Sequence, residues 1–130
     1  DSEKDLLDAF QDICQEKSIR MGTIQALGSL KNANLGYYNQ VTKRYVGTVS
    51  LQKRLEMTAC LGNISLKDGE IFIHVHVTLS DDSGQCYGGH LMPGSCLFSG
   101  EYFIQEVTGP ALNREYDSQT GLHLWSRNPS

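Results

Sequence analysis

Between residues 2 and 17 the apolar residues Leu6, Leu7, Ala9, Phe10, Ile13 and Cys14 recur at spacings of three and four, while Asp5, Asp8, Asp12 and Glu16 take other faces. That period predicts an amphipathic helix over 2–17. Ser2 with Asp5 three positions later resembles a capping box, and the acids suit the positive end of a helix dipole. After Lys17 the period changes. Short β-branched and aromatic runs, punctuated by thirteen glycines read as strand ends, predict strands near 22–27, 33–39, 44–50, 54–62, 71–79, 85–92, 96–107 and 122–125. The fold class is α/β of an α+β-like kind, a largely antiparallel sheet with one main N-terminal helix packed on it. A single domain over 1–125 and a C-terminal tail over 126–130 are expected.

The run from Ile71 to Leu79 alternates cleanly. A strand there puts Ile71, Ile73, Val75, Val77 and Leu79 on one face and Phe72, His74, His76 and Thr78 on the other. Asp81-Asp82-Ser83-Gly84 then signals a turn. A three-residue loop of Asp82, Ser83 and Gly84, with Gly84 in the left-handed position, pairs Asp81 with Gln85 and brings His76 opposite His90. Opposed residues share a face with Cβ atoms about 4.5–5.5 Å apart, so His74, His76 and His90 converge. A loop one residue longer pairs His90 with Val75 on the wrong face, unless a bulge at Gly88-Gly89 restores the register.

Three imidazoles form part of a tetrahedral metal site with a fourth position left for water or another ligand. Imidazole suits a divalent transition metal such as zinc, iron(II) or nickel, with zinc the default, whereas calcium and magnesium require oxygen ligands. The competing reading is three half-buried histidines satisfied by Thr78, backbone groups or one another. His123 stands alone and reads as a surface or edge histidine. Cys86 reads as a small buried hydrophobe rather than a fourth ligand. Glu56 is a candidate metal-supporting acceptor or general base, with an ordinary strand carboxylate as the alternative. Lys43-Arg44 and Lys53-Arg54 read as solvated strand ends, with phosphate contact as the alternative.

Composition narrows the function further. The 130 residues carry 11 Lys and Arg against 15 Asp and Glu, a formal charge of −4. That balance argues against a protein that grips duplex DNA by blanket phosphate neutralisation. No apolar run approaches the roughly 20 residues of a membrane helix, and no secretory signal is expected. The cysteines, Cys14, Cys60, Cys86 and Cys96, have no framework spacing and no Cys-x-x-Cys, so reduced thiols in a cytoplasmic protein are expected. The sequence opens on Asp1 rather than Met, so natural residues before it are expected. A nucleophile elbow, a phosphate-binding glycine loop and His-Glu-x-x-His are all missing, so any enzymatic reading rests on the histidines and the catalytic residues are unknown.

Several segments resemble the plant and prokaryote conserved (PPC) domain family: Leu61-Gly62-Asn63-Ile64, Asp68-Gly69, His74 to Asp81, Gly84-Gln85 and Gly88-Gly89-His90-Leu91. Ala26 to Leu30, Asn32 to Leu35, Arg54-Leu55-Glu56, Leu112-Asn113-Arg114, Asp117 and Gly121-Leu122 extend the likeness over nearly the whole chain. The resemblance implies a stand-alone prokaryotic type, a homotrimer, and a metal ion on the three histidines. In plant members the domain follows an AT-hook, an Arg-Gly-Arg minor-groove reader; this sequence contains no Arg-Gly-Arg. Lys53 replaces a common Gly, and Leu55 and Met57 replace the usual Phe and Ile of those members. Three functions follow as expectations: a trimeric metal-binding domain with a small ligand at its open position, a DNA-associated regulatory module, and a metal-dependent enzyme of unknown substrate.

Overall fold

The first period forms α1 (Leu6–Glu16), which begins later than the expected residue 2 because Asp5 takes the cap. One oxygen of Asp5 accepts from the amides of Leu7 and Asp8, and the other accepts from Gly94 and Ser95, fastening the helix start to a distant loop. The computed structural model describes residues 3–127, so Ser2 and the tail residues 128–130 lie outside the described residues. Ser126, at the start of the expected tail, donates its amide to the Asn113 carbonyl.

The strands that follow are β1 (Gly22–Leu30), β2 (Ala33–Asn39), β3 (Arg44–Leu51), β4 (Leu55–Lys67), β5 (Glu70–Ser80), β6 (Cys86–Leu91), β7 (Leu97–Glu106), β8 (Asn113–Asp117) and β9 (Leu122–Trp125). Their order across the sheet is β3-β2-β6-β5-β4-β1-β7, every neighbour antiparallel. β8 joins the end of β4 in parallel at Leu66 and Lys67, and β9 pairs with β8. The largely antiparallel sheet with one N-terminal helix is the expected fold class.

Leu6, Phe10 and Cys14 of α1 cover one face of the sheet, where Ile24, Leu30, Leu35, Ile64, Val75 and Leu79 form the core. Burying one such side chain contributes about 1.5–3 kcal/mol. Thr58 and Ala59 in β4 form a bulge relative to both neighbouring strands, so residues on either side of it keep their apolar side chains inward.

The strand reading fails at two places. The fourth strand does not end at Gly62; it runs on to Lys67. A Cβ at Gly62 would meet the His74 carbonyl oxygen at 2.6 Å, so this glycine permits close strand approach rather than ending the strand. The second miss is β8, where the polar run Asn-Arg-Glu-Tyr-Asp carries no strand pattern of its own. Its hairpin is set by Asp117, whose carboxylate accepts from the amide and hydroxyl of Thr120, and by Gly121 at φ +75°.

Candidate metal centre

The β5–β6 turn decides the geometry of the histidines. Asp81 and Gln85 pair through the Asp81 amide and Gln85 carbonyl, and Gly84 has φ +82°. The Asp81 carboxylate accepts from the amide and hydroxyl of Ser83 and from the Gln85 amide. Lys53 donates to the same carboxylate at 2.8 Å; this and the Ser83 bonds hold the acid well below the usual carboxylate range. With that three-residue loop fixed, Ser80 pairs with Cys86, Leu79 with Tyr87, and His76 with His90. The register deduced from the turn is the one observed, without a bulge at Gly88-Gly89. Gly89 serves a different neighbour: a Cβ there would meet the Gly36 carbonyl at 2.9 Å, so it lets β2 close on β6.

The three imidazoles therefore gather on the face of the sheet away from α1. Their nearest donor atoms lie within 4.8 Å of one another, and the Nε2 atoms of His74 and His76 are 3.1 Å apart. Two nitrogens on a tetrahedral zinc would stand about 3.3 Å apart, given zinc–nitrogen bonds near 2.0–2.1 Å. Burial, followed by the charges of His76, His90 and Arg114, pushes His74 down to about 4. Burial and then His76 lower His90 as well. Both shifts favour the neutral ring, the form a metal requires. His90 Nδ1 is buried and has no hydrogen-bond partner among the described residues. Such an atom costs about 1–3 kcal/mol, and coordination is one way to satisfy it. The donors therefore fit a borderline divalent ion, and no carboxylate joins this cluster among the described residues.

A family model for the Plants and Prokaryotes Conserved (PCC) domain matches residues 1–108. The chain belongs to this family. Among solved structures, the PCC domain described here is similar to a metal-containing protein of Archaeoglobus fulgidus, at 40% identity and TM-score 0.90, covering 98% of this chain and 89% of that one. It is also similar to a plant- and prokaryote-conserved protein of Pyrococcus horikoshii, at 34% identity and TM-score 0.90, covering 100% and 89%. A Bacteroides thetaiotaomicron protein described as a candidate DNA-binding protein shares the fold at 24% identity and TM-score 0.87, covering 97% and 87%. Two Synechococcus proteins named bifunctional protein GlmU are 30% and 29% identical over 126 residues, 93% of this chain. The chain spans only 18% and 19% of their lengths.

Around the histidines, the folded chain adds residues whose role the sequence pattern did not reveal. Tyr45 of β3 lays its ring 4.7 Å from that of His90, with Tyr38 packed 5.0 Å behind it. Arg114 of β8 reaches across to β4, donating Nε to Ser65 Oγ at 2.7 Å and Nη2 to Asn63 Oδ1 at 3.0 Å. Asn63 is the cross-strand partner of His74. The β8–β9 turn is latched to the β2–β3 hairpin by Tyr38 donating to the Thr120 carbonyl and Lys43 to the Ser118 carbonyl. These two hairpins make the rim of the site.

Other candidates sit elsewhere. Glu56 pairs with Ser80 and Ser29, far along β4 from Leu61 and Asn63, the residues opposite the histidines. Cys86 is exposed rather than buried, because even-numbered residues of β6 face outward with His90. His123 packs against Tyr116 and gives only its carbonyl to Arg114. Lys43 and Lys53 are tied to Ser118 and Asp81.

Proposed function

We propose that this PCC domain holds one divalent transition-metal ion, zinc by donor chemistry, on His74, His76 and His90, and binds a small ligand beside it. The observation that carries this reading is the convergence of three imidazole donors within 4.8 Å, one of the rings, His90, also carrying a buried nitrogen with no hydrogen-bond partner among the described residues. The likeness to the metal-containing Archaeoglobus protein supports it. A divalent ion there supplies Lewis acidity and fixed positive charge. The chain's part is to keep His74 and His90 unprotonated by burial, to hold the rings in register through the Asp81 turn, and to shield the site with Tyr45 and Arg114. Metal analysis of chelator-free protein beside His76→Ala tests the reading. A near-stoichiometric metal content in the wild type alone is expected, and equal, negligible metal in both would sink it.

The homotrimer implied by the family resemblance belongs to the same proposal. Leu61, across from His76, is 57% exposed, and Phe103, one strand beyond Gln25, is 80% exposed. With Leu27 and Tyr102 they line a groove of about 590 Å³, an apolar strip beginning beside the histidines that a second copy would cover. Sedimentation at micromolar concentration should give the trimer mass; a monomer contradicts this part. The DNA-associated reading comes from the family resemblance, and the Bacteroides protein, at 24% identity, adds only a likeness of fold. With a charge of −4, no duplex binding is expected even near 50 mM salt.

A further inference from the structure

The guanidinium of Arg114 is half-buried and its hydrogen bonds end on neutral acceptors: Ser65 Oγ, Asn63 Oδ1 and the His123 carbonyl oxygen. No carboxylate lies within ion-pair distance of it among the described residues. These bonds use three of the five N–H donors of a guanidinium and leave one on each terminal nitrogen, the number a carboxylate or phosphate needs for a two-point contact. The group lies 4.8 Å from the Phe72 ring centroid, and Phe72 shares its strand face with His74. Asn63, which accepts from Arg114, lies directly across from His74 on the neighbouring strand. Tyr45, stacked beside His90, is the phenol that interacts electrostatically with Arg114. The rim over three acid-free imidazoles is therefore a cation and a phenol.

Phe72 and Trp125 offer the guanidinium ring faces at 4.8 and 5.9 Å, but neither supplies a counter-charge. A half-buried cation without a counter-charge is costly, and a divalent ion on the neighbouring imidazoles adds two more positive charges. We infer that the ligand beside the metal is a small oxyanion, a carboxylate or phosphate group, gripped by Arg114 with Tyr45 as a further donor. The inference rests on the metal reading given above.

Calorimetric titration with sodium acetate and with inorganic phosphate, on zinc-loaded wild type and zinc-loaded Arg114→Met, tests it, with zinc content measured on every sample. Zinc should be retained in Arg114→Met while affinity for one or both probes falls about ten- to a hundredfold. Arg114→Lys, which keeps the charge but loses the fork, should recover part of the loss. The two probes separate a carboxylate from a phosphate preference. Equal affinity in wild type and Arg114→Met with zinc retained, or no binding of either probe to wild type, overturns the inference and leaves the metal reading intact. A wild type without zinc overturns the metal reading and the inference with it. If Arg114→Met does not fold, wild-type protein is treated with phenylglyoxal with and without each probe. Protection of Arg114 in the peptide map supports the inference, and equal labelling overturns it.

Discussion

Alternate residues of β5 build two faces that are satisfied by different means. Val75, Val77 and Leu79 are sealed against α1 and their neighbouring strands, and the folded chain leaves nothing undone there. On the other side, His74 and His76 stand with His90 among aromatic and polar groups, and a buried imidazole nitrogen is left over. Packing accounts for the first face. The second has donor atoms in surplus, and surplus donors within reach of one another are what coordination chemistry uses.

The sharpest test of that contrast is to damage each face alone. Leu79→Ala should lower the unfolding free energy by about 2–5 kcal/mol in chemical denaturation, while the protein still folded keeps its metal stoichiometry. His76→Ala should do the converse. Its metal affinity should fall by more than about 100-fold, beyond the loss typical of residues that only support a ligand. Its metal-free stability should move by less than about 0.5 kcal/mol, as for an ordinary surface substitution. A large stability loss in stripped His76→Ala would erase the distinction between the faces.

Acid provides a milder probe. His74 binds its proton near pH 4 in the folded chain but near 6.5 when unfolded, so between those values the unfolded state holds more protons. Stability of the metal-free protein should therefore rise with pH through this window, and His74→Gln should flatten that rise in denaturation curves taken at pH 4.5 and 7. Asp81 acts lower on the scale. Its contribution is present above the ordinary carboxylate pKa and is lost as pH falls toward its depressed folded value. Asp81→Asn should give the smallest effect, a modest drop in Tm at neutral pH that disappears in strong acid, with metal still bound because an amide oxygen can hold the turn.

Both faces of β5 were legible in the sequence because strict alternation from Ile71 to Leu79 leaves one assignment, whereas the turn allowed two registers with β6, of which the three-residue loop is the one observed. The extension of β4 past Gly62 was not legible, since a glycine that admits a neighbouring strand looks the same in one dimension as one that ends a strand. The rim was still less accessible. Arg114 lies in a polar five-residue strand with no period, and its partners Asn63 and Ser65 are 51 and 49 residues away. Tyr45 belongs to a strand that was expected, but its place over His90 depends on β2 pairing with β6, a junction no local pattern encodes.

The separation between histidines and rim has a kinetic side. His76 and His90 are fourteen residues apart around a tight turn, whereas the latch from Tyr38 to Thr120 spans 82 residues. Closing the longer loop costs about 1.6 kcal/mol more chain entropy, and contacts of that range form late in folding. The hairpin that carries the histidines can form before residues 113–125 have left the ribosome. The donors that an ion needs would then stand together on an open ribbon, and the last strands would add the rim beside a site whose His76 stays exposed.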